Sequence, residues 1–290
     1  MNKLKVGIIG TGNIGTDLLI KTLKSDYLEC TLFSGRNLSS IGMSKAVHLG
    51  VNVSDEGIVA FSKNPHCCDL VFDATSAVSH KQHSTVFQEL GITAIDLTPA
   101  KVGKFCVPLV NLDECLSQNN LNMVTCGGQS SIPILSAVSK LCNIEYVELV
   151  STISSRSAGP GTRINIDEYV YTTEKAIKQF SGAKECKVIL NLNPAVPNIN
   201  MRTTFYIKSN NYDLDLLSEK IEESVADIIN YVPGYKLLVK PTIQREHIFL
   251  TVEVKGKGDY LPSYAGNLDI INSAAIMVAE EFAKRREDEK

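Results

Sequence analysis

Gly10-Thr11-Gly12-Asn13-Ile14-Gly15 follows a β-branched apolar run, Leu4 to Ile9, and leads into a stretch with Asp17, Leu18, Leu19 and Leu23 at helical spacing. A strand that must turn at once into a helix needs glycine at defined places. Gly10 permits the tight turn, Gly12 lets a pyrophosphate approach the backbone, and Gly15 lets helix and strand pack closely. The context predicts a doubly wound, dinucleotide-binding Rossmann domain at the N-terminus.

The crevice of such a sheet lies at the carboxyl ends of its strands. The second strand, Cys30 to Phe33, ends in Ser34-Gly35-Arg36-Asn37, where a NAD-specific fold usually carries an acidic residue for the adenosine ribose. Ser34 and Arg36 can instead hold a 2′-phosphate, so NADP is a possible cofactor beside NAD; the plainer reading leaves Arg36 in solvent. Asp69 to Asp73 is a further strand running into Ala74-Thr75-Ser76, which brings Thr75 to the cofactor. Ile92 to Leu97 is the next, and His80 and His83 between them read as solvated helix residues. The vicinal Cys67-Cys68 is poor geometry for a metal or a structural disulfide.

A second strand–glycine–helix turn follows at Asn122-Met123-Val124-Thr125-Cys126-Gly127-Gly128-Gln129, with Ile134, Leu135, Val138 and Leu141 at helical spacing beyond it. Ser130 or Ser131 can cap that helix. A thiol just before a helix N-terminus feels the positive end of the dipole and loses its proton more easily. Two glycines let backbone N–H groups approach whatever the sulfur attacks. Cys126 is therefore the candidate nucleophile; the plainer reading is a buried cysteine at an ordinary corner.

Beyond Tyr146 the pattern changes. Strands at Tyr146–Ser154, Val188–Leu192, Thr204–Lys208, Leu237–Val239 and Ile248–Lys255 outnumber the helices at Tyr169–Phe180 and Leu214–Tyr231, which predicts a mostly antiparallel α+β domain with one sheet face free for a second subunit. A length of 290 residues accommodates both domains, at about 150 residues each. We place the boundaries at residues 1–128 for the dinucleotide domain and 129–266 for the catalytic and oligomerisation domain, with the helix of 267–290 packing back on the first. A net charge of -3 gives no reason to expect nucleic acid or an anionic membrane surface, and no apolar run is long enough to span a bilayer. No signal peptide precedes the first strand, and the eight cysteines lack zinc spacing, so they read as reduced thiols of a cytoplasmic protein without a metal.

Several long motifs carry a more specific likeness. They are Gly10 to Asp17, Phe72 to Ala77, Asp96 to Ala100, Asn122 to Gln129, Ser157 to Arg163 with Asn165 to Glu168, Tyr231 to Tyr235, and Tyr260 to Ile270. With them the chain resembles the glyceraldehyde-phosphate and semialdehyde dehydrogenase architecture. It resembles more closely the acylating, coenzyme A-dependent acetaldehyde dehydrogenase family, partners of 4-hydroxy-2-oxovalerate aldolase in aromatic hydrocarbon catabolism. The resemblance implies that an aldehyde, CoA and NAD⁺ give acyl-CoA and NADH through a thioester on Cys126. It also implies nucleotide contacts at Thr11, Gly12, Asn13 and Ile14, at Ser157, Ala158, Gly159, Pro160, Gly161, Thr162, Arg163, Ile164 and Asn165, and at Asn267, in a homodimer. The chain departs from the family at Ser34 to Asn37, at Thr203 where relatives commonly carry Asp, and in a shorter stretch between Lys240 and Thr251. Two alternatives stand beside this reading. One is a phosphate-dependent semialdehyde or acyl-phosphate reductase, which wants a histidine base near the cysteine, whereas His247 is the one histidine of the second half. The other is a catalytically silent nucleotide-binding subunit.

Overall fold

The computed structural model describes residues 3–288. By internal contacts the chain divides into two compact units. The first runs to Met123 and resumes at Asn272; the second is Val124–Ile271.

In the first unit strands and helices alternate except where β6 follows β5 directly: β1 (Leu4–Ile9), α1 (Asn13–Lys24), β2 (Leu28–Ser34), α2 (Ile41–His48), β3 (Val53–Ser54), α3 (Val59–Lys63), β4 (Leu70–Asp73), α4 (Ala77–Leu90), β5 (Thr93–Asp96), β6 (Lys104–Phe105), α5 (Pro108–Cys115) and β7 (Asn120–Asn122). Their sheet has the order β3-β2-β1-β4-β5-β7-β6, with parallel pairings throughout. Parallel strands covered on both faces read as continuous apolar runs, and Val6, Ile8, Val71, Phe72 and Ile95 are fully buried accordingly. The order reverses between β1 and β4, which opens the ligand crevice at their carboxyl ends. Ile9, Val71 and Ala94 pack with Phe61 and Phe87, whose rings meet edge to face with centroids 5.4 Å apart.

In the second unit α6 (Cys126–Ser139), β8 (Asn143–Ser154), α7 (Pro160–Ile164), α8 (Ile166–Ser181), β9 (Glu185–Asn193), β10 (Met201–Asn210), α9 (Leu214–Ile229), β11 (Tyr235–Gln244) and β12 (His247–Val254) are followed by α10 (Gly266–Asp288). The sheet order is β11-β12-β10-β8-β9, antiparallel except where β9 joins β8 in parallel. On β10, Met201, Thr203, Phe205 and Ile207 are buried and the residues between them are less so, the alternation of a sheet covered on one face. From Asn272 onward α10 belongs to the first unit, where the Asn272 amide donates to Asp17 Oδ2 at 2.8 Å and to the Ile14 carbonyl at 3.2 Å. Among the described residues no helix is long and apolar enough to cross a membrane.

Candidate active site

The sequence-predicted residues gather in two places, one per unit. In the first unit a cavity of about 490 Å³ is lined by Gly10, Thr11, Gly12, Arg36 and Thr75 at the carboxyl ends of β1, β2 and β4. Each glycine does a different job. Gly10 sits at φ +104°, where a Cβ would come within 2.5 Å of the Ala74 carbonyl. A Cβ on Gly15 would drive into the Gly10 carbonyl, whereas one on Gly12 would meet nothing within 4 Å. Gly12 is also the N-cap of α1 and offers no side chain to its first turn, so the N–H groups at Asn13 and Ile14 have no side-chain cap. Ser34 is placed differently from Arg36. It is buried beneath the cavity, and its hydroxyl donates to the carbonyls of Gly57 at 2.8 Å and Ser54 at 3.3 Å. The structure also brings in Glu56, which sequence reading missed because it arrives from the loop after β3; it shares the cavity with Arg36 and is ion-paired to Lys63.

His80 and His83 correct the expectation of solvated helix residues. His80 is fully buried, and both histidines direct Nδ1 at Asp73 Oδ2, at 2.9 and 2.8 Å. Asp73 Oδ1 accepts from the Thr75 backbone N–H at 3.0 Å and from its hydroxyl, which fixes Thr75 on the cavity wall. Burial pushes the Asp73 carboxyl up, but the hydrogen bonds from His80, His83 and Thr75 outweigh it and hold the group at about 2. Asp96 lies 3.6 Å from His80 Nε2, and its burial pushes it up to about 7 against the pull of His80. His80 itself is raised: burial opposes its charge, and the carboxylates of Asp73 and Asp96 overcome that.

In the second unit Cys126 is the first residue of α6, so the helix starts at the cysteine rather than after the glycines. The cap is Thr125, whose Oγ1 accepts from the Gly128 N–H at 2.9 Å, and not Ser130 or Ser131, whose hydroxyls donate back to the Gly127 carbonyl at 3.0 and 2.7 Å. Thr125 wins because Thr173, from α8, meets its hydroxyl at 2.7 Å, a tertiary contact invisible to local propensity. Val124, the residue before the cap, sits at φ +60°, a left-handed conformation that costs a β-branched residue on the order of 1–3 kcal/mol. Gly128 leaves room for it, since a Cβ there would lie 2.6 Å from Val124 Cγ1. Gly127 is closed in from the other side, where a Cβ would collide with the Tyr169 hydroxyl and approach Ser151 Oγ at 3.2 Å.

Cys126 as a whole residue is half-buried. Burial pushes its thiol up to about 11, opposed by the Tyr169 hydroxyl, the Gly127 N–H and its own N–H. The helix-start argument thus accounts for the opposing N–H groups, and desolvation exceeds them in the free protein. Thr203 Oγ1 is buried 3.0 Å from Ser130 Oγ and 3.3 Å from Ser151 Oγ.

The glycine-rich segment after β8 is held by its own side chains. Arg163 folds back to donate to the carbonyls of Ala158 at 3.1 Å and Ser155 at 2.8 Å, and Asn165 donates to the Gly161 carbonyl at 2.7 Å. Ser157 donates to the Ser154 carbonyl at 2.9 Å, and the Asn267 amide reaches the Ser157 carbonyl at 3.5 Å, leaving the buried Asn267 Oδ1 without a partner. Gly159 and Gly161 face open space, Thr162 is half-buried and Ile164 is exposed. The side chain of Pro160, which opens α7, lies outside the described residues.

A doubly wound parallel unit followed by a mixed-sheet unit that opens on a cysteine-bearing helix is the semialdehyde dehydrogenase class of architecture. Aspartate semialdehyde dehydrogenase II from Vibrio cholerae superposes with a TM-score of 0.67 at 13% identity, covering 98% of this chain and 99% of that one. A probable aspartate-semialdehyde dehydrogenase from Pseudomonas aeruginosa gives 0.69 at 13%, over 98% and 100%. At that identity the likeness is one of fold. In sequence, the acetaldehyde dehydrogenase of Pectobacterium atrosepticum is 55% identical over 98% of this chain and 97% of its own. That of Spirochaeta aurantia is 54% identical over 97% and 95%. The family model for prokaryotic acetaldehyde dehydrogenase dimerisation matches residues 126–262. The chain belongs to the acetaldehyde dehydrogenase family.

Proposed function

We propose that the chain oxidises acetaldehyde, or a short aliphatic aldehyde, with NAD(P)⁺ and CoA to acyl-CoA, and that Cys126 carries the acyl group as a thioester. The observation that carries the reading is the seat of Cys126, with its own N–H and that of Gly127 acting on the sulfur at the start of α6. A thiolate there adds to the aldehyde carbonyl, and the oxygen that becomes negative lies near the same helix start. Once a hydride has left that adduct for the nicotinamide acceptor, the acyl group remains on sulfur until the thiol of CoA displaces Cys126, which splits one hard step into two easier ones.

The residues present fit a dinucleotide. Gly12 leaves the space that any side chain would fill, the first turn of α1 has no side-chain cap, and Asn267 Oδ1 is an unpartnered acceptor. When bound, NAD(P)⁺ supplies the hydride acceptor. Gly10, Thr11, Gly12 and Thr75 would hold its phosphates and ribose, with Asn13, Ile14 and Gly15 shaping the helix start; the family likeness adds Ser157 to Asn165 and Asn267 as further nucleotide contacts. Arg36 lets NADP⁺ be accepted beside NAD⁺. The matched dimerisation family and the less covered sheet face, where Tyr206 and Phe249 pack with ring centroids 5.2 Å apart, support a homodimer. A 4-hydroxy-2-oxovalerate aldolase is the proposed supplier of aldehyde, in the cytoplasm. Assay of the purified chain with acetaldehyde, CoA and NAD⁺ tests the reading: CoA-dependent NADH formation is expected, whereas phosphate-dependent formation or none overturns it.

A further inference from the structure

His83 is held at two points and left open at a third. Its Nδ1 lies 2.8 Å from Asp73 Oδ2, and its ring meets Phe87 near edge to face, with centroids 6.2 Å apart. Asp73 is held at about 2, so its carboxylate is ionised and can only accept. His83 Nδ1 must therefore carry the hydrogen, and in the neutral ring Nε2 is left with a lone pair. Among the described residues no group bonds Nε2, and the atom is not sealed from solvent. His80 differs on both counts: it is fully buried, and its Nε2 has the Asn120 amide at 3.3 Å. The two histidines on one carboxylate oxygen are thus not equivalent. His80 and Thr75 already satisfy the buried Asp73, and His83 presents a fixed acceptor.

That acceptor belongs to the wall of the open cavity, and its neighbours narrow what it can meet. Gly10 to Gly12 mark the side for the pyrophosphate, at the uncapped start of α1, and Arg36 stands where a ribose is expected. The wall left for the base is made by Ile58, from the loop before α3, and by His83 on α4. Ile58 packs against the apolar cluster of Phe61 and Phe87, and Phe87 is the ring that His83 touches. On the same wall the Ser76 and Ser79 hydroxyls bond each other at 2.9 Å. An apolar wall with one open acceptor complements a flat base that carries an amino group on its edge. A phosphate offers that acceptor no hydrogen.

We propose that His83 Nε2 accepts a hydrogen bond from the 6-amino group of the cofactor's adenine, which makes the cavity select a 6-amino purine over a 6-oxo purine. Asp73 is the positioning residue that turns the ring. The proposal rests on this cavity being the dinucleotide site of the reaction above.

Calorimetric titration of the full-length protein with NADH, and with reduced nicotinamide hypoxanthine dinucleotide, reads the contact without turnover. In the second probe a 6-oxo group replaces the 6-amino group and sets an oxygen lone pair against Nε2. The unaltered protein is expected to bind NADH about tenfold more tightly, the effect of losing one hydrogen bond and leaving its acceptor unpaired. His83→Phe keeps a ring against Phe87, and Asp73 keeps His80 and Thr75, so the fold is retained. This variant should bind NADH about tenfold more weakly and no longer distinguish the two probes. A merely structural role for His83 would weaken both probes alike and leave their ratio standing. Equal affinities in the unaltered protein, or a preference for NADH that persists undiminished in His83→Phe, overturn the proposal. Failure of the functional reading shows separately, as no binding of either dinucleotide to the unaltered protein, and it takes the proposal with it.

Discussion

The two glycine-rich helix starts use one device for opposite ends. At Gly12 the start of α1 is left open, with nothing within 4 Å of a Cβ and no capping side chain. At Cys126 the start of α6 is filled, with Thr125 capping it, Tyr169 against Gly127 and Val124 against Gly128. An open helix start is a place for an anion to come and go. A filled one fixes a single atom, here the sulfur. Glycine in the first case keeps space for a ligand; in the second it admits the protein's own side chains.

If this contrast holds, small substitutions separate the two starts. Gly127→Ala places a methyl on the Tyr169 hydroxyl, and overpacking of this kind typically costs about 1–3 kcal/mol. It should lower Tm and reduce aldehyde oxidation together, and Tyr169→Phe in the same chain, by removing the clashing hydroxyl, should restore part of the Tm. Gly12→Val should leave Tm unchanged while weakening nucleotide binding, by roughly tenfold to hundredfold if about 1.4 to 3 kcal/mol of backbone contact is lost. Calorimetric titration with NAD(H) beside thermal unfolding checks the pair. Equal losses of Tm in both variants would erase the distinction.

A smaller effect concerns Arg36 and Glu56, which share the open site with opposite charge. Arg36→Ala should lower kcat/KM with NADP⁺ by about tenfold, the lower end for a charge-assisted hydrogen bond to phosphate, and leave NAD⁺ nearly unchanged. Glu56→Gln should act in the other direction and improve NADP⁺. Strict NAD⁺ preference that neither variant alters would remove both residues from cofactor choice.

The smallest effect is on stability against pH. Asp96 is raised from 3.8 to about 7, so its ionisation opposes the fold: the penalty is absent below pH 4 and grows until it is complete above pH 7. His80 is raised above 6.5, so the stability it lends is full below that value and is lost as pH rises through its folded value. Both make the first unit less stable toward alkaline pH. Asp73, lowered to about 2, has the opposite sign, and its contribution is lost only as pH falls from about 4 toward 2. Tm is expected to decline from pH 5 to pH 8, and Asp96→Asn should flatten that decline; an unaltered slope in the variant would contradict it.

Much of the frame was legible because it rests on local pattern. The apolar run before Gly10 is β1 with the bounds expected from sequence, and the alternation on β10 marks a half-covered sheet. What escaped depends on residues distant in sequence. Thr125 outcompetes Ser130 and Ser131 as cap because Thr173 supports it, Ser34 turns inward to the Ser54 and Gly57 carbonyls, and His80 is drawn under the sheet end by Asp73. Glu56 reaches the cavity from a different loop from the one where a carboxylate is sought. Tyr169 reads in sequence as an ordinary apolar helix position, and its place against Gly127 exists only once α8 packs on α6.

The central claim is that Cys126 carries the acyl group between aldehyde and CoA. Incubating the protein with isotope-labelled acetyl-CoA in the absence of nicotinamide cofactor, followed by acid quench and peptide mass spectrometry, looks for that group directly. The account predicts label on the peptide bearing Cys126, released by free CoA and absent in Cys126→Ser. Label on another cysteine, or full CoA-dependent turnover in Cys126→Ser, would contradict it.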